Sequence, residues 1–567
     1  MSFSDIRTQR QIKEARSHAS HVGSSPDLMI EESTPALAPL FGTLPPSVEV
    51  RTNQETGRGV YAKERLTKGG VIFGSKPPVY VLSTKNLEHF CSSCIAPAPT
   101  SGLKRCTLCK NLWYCNATCQ NNDWALHKKE CDAMRRWAAG APSLDVAIPA
   151  EPIRCLGRVL WGRRKQGLDS VWTREIDAMQ SHRTSLPPEA TESHTHLAHA
   201  VIRYLGLTAP EELVPFGINN AAGIVDLMSR FATNSITLTS AALAPLGVCV
   251  SPSVALINHS CEPNAVVVFP RSIKDHPTQE PEAQVIAIRD IAPDEEIFTS
   301  YIDTTLPRAH RQAALSTTYN FACKCTLCSK PPKPDPREAL ACPKNCGGSC
   351  PFPSEEGPLT RCVKCKSAVA STDSVLDALR IGQEALQKAT SLQFADLPKA
   401  QQLTTNIIPI LTSAKALSSS HPLLALARLH QSLLLAAFPP NLTQDALDGL
   451  IRASSASVTG LSAVLPPGHP ARALALAELG KLLAVDEPAP HAAAGSTFPP
   501  SGPARLRLAC DTLIRARDEL AISFGERNGG GEVGREVREM VVRVERELAA
   551  WGQGIRNVIE DTPGRAR

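Results

Sequence analysis

The stretch INHSCEPNA, Ile257 to Ala265, sets an amide, an imidazole, a hydroxyl and a thiol in a row after the apolar run SPSVALI. The apolar run reads as core, and polar groups carried into a core need partners. The stretch is therefore expected to line a site rather than fill one. A second concentration of chemistry precedes it. CSSC (Cys91, Cys94), CTLC (Cys106, Cys109), CNATC (Cys115, Cys119) and HKKEC (His127, Cys131) offer eight thiolate or imidazole ligands in four tight pairs. Zn²⁺ takes four S/N ligands in a tetrahedron, so eight ligands make two closed, structural sites with no position left for chemistry. Further on, CKCTLC supplies Cys323, Cys325 and Cys328, three ligands in search of a fourth.

Composition supports metal over cross-links. The chain has 567 residues, 43% hydrophobic and 20% charged, which is the make-up of a soluble globular protein of two to four domains. Residues 1–46 carry no apolar signal segment and no run is long enough to span a bilayer, so an intracellular place, nucleus and/or cytoplasm, is expected and no membrane partner. A reducing compartment does not maintain disulfides, which leaves metal binding as the reading of nineteen cysteines. The net charge of +5 is too small an excess to point to nucleic acid, and DNA binding is disfavoured. A last set, CPKNC (Cys342, Cys346) and CVKC (Cys362, Cys365), resembles a zinc ribbon and is a candidate fourth metal site, with Cys350 to spare.

The elements that must position these groups are of two kinds. Val48 to Leu82 has short β-branched runs broken by glycine turns, among them Gly57-Arg58-Gly59, and reads as strands and hairpins. A stretch of mixed helical character covers about 138–231, followed by NSITLT, GVCVSPSVALINHSCEPNAVVVF, AQVIAIRDIAPDEEIFTSYID and YNFACKCTLC. The eight-ligand block, with Trp113 and Tyr114 before the third pair and Trp124 before the histidine, resembles a MYND zinc finger. The ordered set around it resembles the SET domain of protein lysine methyltransferases, split by that finger as in the SMYD family.

The resemblance implies an interleaved finger, with Cys91, Cys94, Cys115 and Cys119 on one zinc and Cys106, Cys109, His127 and Cys131 on the other. It implies a third zinc on Cys261, Cys323, Cys325 and Cys328. S-adenosyl-L-methionine is the implied cofactor, contacted by Asn258 and His259, approached by Gly57, Arg58 and Gly59, faced by Asn234 and packed on by Phe321. Tyr301 and Tyr319 would flank a lysine tunnel and carry the catalysis. One departure is visible: the family commonly has an aromatic after its Asn-Ser, where Ile236 stands here.

From Asp373 onward Leu and Ala recur at helical spacing. HPLLALARLHQSLLLA at His421 is echoed by HPARALALAELGKLLA at His469, which implies an α-solenoid resembling the tetratricopeptide type. Residues 486–505 and 525–534 read as flexible connectors, and the amphipathic helix after the second is expected to pack on the solenoid. The expected protein is α+β. A mobile arm (1–46) precedes the N-terminal part of SET (47–90), the MYND finger (91–131), a helical insert (132–233), the core SET (234–305) and a post-SET zinc segment (306–330). A candidate ribbon (340–368) and a helical C-terminal domain (373–567) follow. The function implied is S-adenosylmethionine-dependent N-methylation of a lysine in a protein substrate, histone or non-histone. The competing reading is a non-catalytic MYND/SET scaffold that recruits proline-rich protein partners through the finger.

Overall fold

The computed structural model describes residues 40–560 apart from 272–279, 356, 358, 439–441 and 489–497. Most of the expected N-terminal arm and half of the connector at 486–505 lie outside the described residues. Val48–Asn53 (β1) and Gly57–Ala62 (β2) form an antiparallel hairpin with Asn53 opposite Gly57. The hairpin exit requires a left-handed residue, and Gly57 supplies φ 75° without a Cβ penalty. Val71–Ser75 (β3) and Val79–Leu82 (β4) follow, each the edge of a different three-stranded sheet.

The finger interrupts the strands. Lys104–Arg105 (β5) pairs with Trp113–Tyr114 (β6), and Ala117–Ala139 (α1) closes the unit. Asn116 caps α1 by accepting a hydrogen bond from the backbone N–H of Cys119 at 3.0 Å, so the cap that starts the helix also fixes a ligand. Four insert helices come next: Glu151–Gln166 (α2), Val171–Ala178 (α3), Pro188–Leu205 (α4) and Ala221–Asn234 (α5). Their apolar faces share one core with the finger and with Val79, Val81, Val248 and Val250.

The chain then returns to β structure. Ser235–Thr239 (β7) and Pro245–Val250 (β8) complete the sheet β4-β8-β7. Asn258–His259 (β9) is followed by Ala265–Val268 (β10) and Ala283–Ala287 (β11), which build the sheet β10-β11-β3. Phe298–Thr299 (β12) runs parallel to β9. After it come Arg308–Tyr319 (α6), Thr326–Ser329 (α7) and a small hairpin of Ala339–Ala341 (β13) and Ser349–Pro351 (β14).

Among the described residues, seven helices make the C-terminal region: Thr372–Leu392 (α8), Leu397–Ser413 (α9), Leu423–Ala436 (α10), Gln444–Val464 (α11), Pro470–Leu483 (α12), Pro503–Phe524 (α13) and Gly531–Glu560 (α14). The two echoed segments are α10 and α12. Helix α14 packs on the helical array through Val537, Val541 and Val544, as its pattern predicts. The same core, however, contains Val266, Val268 and Ile286, so the last helices close back onto the SET sheet. The glycine-rich turn at 525–534 is the seam, not a free connector. The N–H of Glu526 donates to Gly69 O at 3.0 Å, that of Glu532 to Pro270 O at 3.0 Å, and Asn528 Nδ2 donates to Gln284 Oε1 at 2.5 Å.

The finger is pinned to the insert by a buried ionic cluster. Arg158 of α2, 2% exposed, donates to Asp123 at 3.0 and 3.1 Å and to Glu130 at 2.5 and 3.1 Å. Tyr114 donates its hydroxyl hydrogen to Asp123 at 2.9 Å, and Glu130 Oε2 stands 3.4 Å from Nδ1 of His127. Burial pushes the Glu130 carboxyl up, but Arg158 and His127 outweigh it and hold it at about 2. Arg158→Leu leaves two buried carboxylates without their cation, and truncating one side of such a cluster costs about 3–5 kcal/mol. We expect a corresponding fall in the unfolding midpoint by denaturant titration. A loss below about 1 kcal/mol would mean that apolar packing alone seats the finger.

Candidate active site

The polar stretch after the apolar run is paired side chain by side chain. Strand β9 sets Asn258 opposite Phe298 and His259 opposite Thr299 of β12, and the N–H of Ser260 donates to Thr299 O at 2.9 Å. Asn264, fully buried, donates from Nδ2 to Glu296 O at 2.8 Å and accepts from the N–H of Phe298 at 2.7 Å. The crossing of these two strands is thus stitched by side chains as well as by backbone.

His259 is committed on both sides. Its Nδ1 accepts from the N–H of Tyr301 at 3.0 Å, and its Nε2 lies 3.4 Å from the thiol sulfur of Cys261. That arrangement calls for the Nε2–H tautomer. Burial drives the ring down to about 4, so it is neutral near pH 7. Asn258 donates from Nδ2 to Arg58 O at 3.0 Å and to Glu296 Oε1 at 2.8 Å. The Tyr301 hydroxyl donates to Ile257 O at 2.6 Å, and that of Tyr319 to Tyr301 O at 3.3 Å. The two rings stand 4.9 Å apart at 42°. Burial raises both hydroxyls above the ordinary tyrosine range, Tyr301 further through Tyr319 and Glu296, so both stay protonated.

A cavity of about 1350 Å³ opens where these groups meet. Gly57, Arg58, Asn234, Asn258 and His259 line it, as do Tyr301, Tyr319 and Phe321. Gly59 does not line it. It sits behind Asn258, where a Cβ would lie 2.3 Å from Glu296 Oε1. Asn234 faces the cavity with its NH₂ already spent, Nδ2 donating to Gln180 O and Arg230 O at 2.7 Å each. The segment it holds, just after α3, forms a wall through Ala178, Met179 and Gln180. Arg58 donates to Ala178 O, and Arg230 to Asp177 O and Met179 O. Ile236, which stands where an aromatic was expected, packs on the core beside Leu238 and Cys249 instead.

Sequence reasoning missed Glu296 and the far wall. Val464, Leu465 and His469 bring the C-terminal helices to the same cavity, with Arg337 from the turn before β13 beside them. His469 also caps α12, its Nδ1 accepting from the N–H of Ala471 at 3.3 Å. A glutamate in DEEIF carries no signal that separates it from a solvated charge.

Four ligand sets come together, each with its atoms within 4.8 Å of one another: Cys91/Cys94/Cys115/Cys119, Cys106/Cys109/His127/Cys131, Cys261/Cys323/Cys325/Cys328 and Cys342/Cys346/Cys362/Cys365. No two of the nineteen cysteines are joined. A zinc tetrahedron with Zn–S near 2.3 Å has sulfur–sulfur edges of about 3.8 Å. The thiols of Cys94 and Cys115 are 3.8 Å apart, those of Cys106 and Cys131 3.9 Å, those of Cys261 and Cys328 3.6 Å, and those of Cys346 and Cys362 3.6 Å. His127 Nε2 lies 3.4 and 3.6 Å from Cys106 and Cys109. The post-SET set has a further mark of a metal. Arg311, fully buried on α6, spends Nη1 on Leu306 O at 2.6 Å, while Nε and Nη2 meet no oxygen acceptor among the described residues and have the thiols of Cys328 and Cys261 as their neighbours. Its guanidinium stands beside Cys261 and Cys328, and a zinc on four thiolates carries the net negative charge such a cation needs. The donor sets fit zinc.

If Cys261 completes its tetrahedron, Cys261→Ser lowers bound zinc by one equivalent and leaves the finger sites filled. Metal also contributes folding free energy to the segment it closes, so hydrogen exchange at Tyr319 and Phe321 should quicken. Full zinc content in the Ser variant would show Cys261 to be packing.

A family model described as the SET domain matches residues 57–302. N-lysine methyltransferase SMYD2-A of Danio rerio is 30% identical over 283 residues, covering 49% of this chain and 59% of that protein. Human N-lysine methyltransferase SMYD2 is 29% identical over 283 residues, 48% of this chain and 58% of its own length. Histone-lysine N-methyltransferase ASHR1 of Arabidopsis thaliana is 29% identical over 293 residues, 51% and 56%. The chain spans less than two thirds of the length of these curated relatives. A solved SET domain, that of LSMT bound to lysine and AdoHcy, aligns over 88% of each chain at 13% identity with a TM-score of 0.29, a likeness that carries no weight. Sequence match and cysteine sets agree: residues 57–302 are a SET domain, and the chain that carries it, with MYND-like cysteine-rich clusters, is homologous to the SMYD2 type of lysine methyltransferases.

Proposed function

We propose that this protein is an S-adenosylmethionine-dependent protein-lysine N-methyltransferase. The observation that carries the reading is the meeting, in one cavity, of Asn258 and the 178–180 wall with the adjoining, tilted pair Tyr301 and Tyr319. Asn258, the backbone at Gly57 and Arg58, and the ring of Phe321 would hold the cofactor, which fits a cavity offering one amide acceptor, backbone edges and an aromatic face. When bound it supplies an activated methyl on a sulfonium.

The chain's residues have the rest of the work. A lysine ammonium in water titrates near about 10.4, and an apolar channel walled by two tyrosine rings disfavours its charged form, so the amine is held neutral with its lone pair free. The Tyr301 hydroxyl gives its hydrogen to Ile257 O. Its oxygen lone pairs are then left to accept from the amine N–H and fix the direction of approach. The carboxylate of Glu296 is held on Asn258 and Tyr61, so no free base reaches the channel from that side.

The substrate is a protein that presents lysine to the cleft between the SET strands and the C-terminal helices, in nucleus or cytoplasm. Docking of proline-rich segments at the finger is supported by two exposed apolar side chains on it, Leu108 at 55% and Trp124 at 36%, of the kind such segments use. Calorimetry with S-adenosylmethionine separates the enzyme from the scaffold reading, since a scaffold without cofactor gives no isotherm. Tyr301→Phe removes one hydroxyl and keeps the ring. It should fold, keep its zinc and bind cofactor, yet lose turnover by about a hundredfold or more in a radiolabelled methyl-donor assay. Undiminished turnover would pass the role to Tyr319.

A further inference from the structure

The carboxylate of Glu296 is divided between two donors: Oε1 accepts from Asn258 Nδ2 at 2.8 Å, and Oε2 from the Tyr61 hydroxyl at 3.0 Å. The other hydrogen of Asn258 Nδ2 goes to Arg58 O at 3.0 Å. A side-chain amide can present either an acceptor or a pair of donors, and its flip is set by its neighbours. Here both neighbours can only accept. A flipped Asn258 would set its oxygen against a carboxylate and a carbonyl, so Nδ2 is locked inward and Oδ1 is the atom left for the cavity that Asn258 lines. Glu296 reaches this position only because residue 59 has no side chain, a Cβ there falling 2.3 Å from Oε1 and 3.1 Å from Asn258 Nδ2.

We propose that Glu296 is a positioning residue that fixes the flip of Asn258, with Gly59 keeping its place open, and so makes the cavity select a ligand carrying an amino group. This rests on the cavity being the S-adenosylmethionine site. Without Glu296 the amide is free to turn and offer N–H groups where the ligand also offers N–H, which removes an acceptor from a cationic donor, worth about tenfold or more in affinity.

The test is calorimetric titration of the full, zinc-loaded chain with two ligands: S-adenosylhomocysteine, which carries the amino group, and 5′-methylthioadenosine, which lacks it. Glu296→Leu should weaken the first about tenfold or more and shift the second by no more than about twofold. Glu296→Gln keeps an oxygen for Asn258 and gives its NH₂ to the Tyr61 oxygen, so it should stay within about threefold of wild type for both. Gly59→Ala displaces the carboxylate and should reproduce the selective loss. Equal losses for both ligands in Glu296→Leu, or an unchanged profile, overturn the proposal. Should Glu296→Leu not fold, wild-type selectivity in Gly59→Ala overturns it equally. Failure of the wild-type chain to bind either ligand overturns the cofactor reading itself.

Discussion

Two residues of parallel strand, β9 against β12, are the constraint on which the site depends. Parallel pairing cannot be closed by a tight turn, so the chain between Asn258 and Thr299 must leave, form β10 and β11, and come back to the same line. Every polar side chain carried into that crossing needs an acceptor or donor waiting there, because water is excluded. Asn264 meets the returning strand, His259 meets the N–H of Tyr301, and Asn258 meets Glu296. A crossing with one of these groups unpaired would carry a desolvation penalty of about 1–3 kcal/mol.

The same crossing sets a zinc-binding group of thiols, Cys261, Cys323, Cys325 and Cys328, beside the proposed chemistry. Cys261 follows His259 by two residues, and the segment bearing Tyr319 and Phe321 has little apolar burial of its own: its core is Leu315, Leu327 and the cysteines. Covalent closure through sulfur substitutes for area that so short a segment cannot bury. Arg311 lies beside that cluster and His259 between it and Tyr301, so thiols, imidazole and phenol form one connected layer.

Much of this was legible because cysteine spacing and tyrosine position are one-dimensional signals. The paired ligands could be counted, and Tyr301 and Tyr319 stood in motifs whose order was informative. Glu296 was illegible for a physical reason: a carboxylate that accepts two hydrogen bonds and one that faces water have the same letter, and only the missing side chain at Gly59, over 200 residues earlier, distinguishes them. Asn234 was legible as a neighbour of the cavity but not as the clasp of the 178–180 wall, since its partners are carbonyls. The glycine-rich turn at 525–534 misled because φ > 0 is used both by loose loops and by tight seams; its glycines at 529, 530 and 531 all take positive φ in a packed turn. Helical periodicity showed that the last helix buries a face, and nothing in a period says what covers it.

The closure of α13 and α14 onto the sheet has a consequence for how the protein is made. Gly69 waits for Glu526, and Val268 for the core that Val537 completes, the first a link that spans well over half of the chain. At ribosomal speeds of about 5–20 residues per second, the strands around Val266 and Ile286 stand finished on one face and bare on the other for roughly ten to fifty seconds. A newborn chain therefore shows a β-branched, apolar sheet face to the cytosol long before its cover exists, the condition under which chaperones are recruited and truncated products aggregate. Loss of the final helices by nonsense mutation or proteolysis would accordingly register as insolubility of the SET sheet, far from the break.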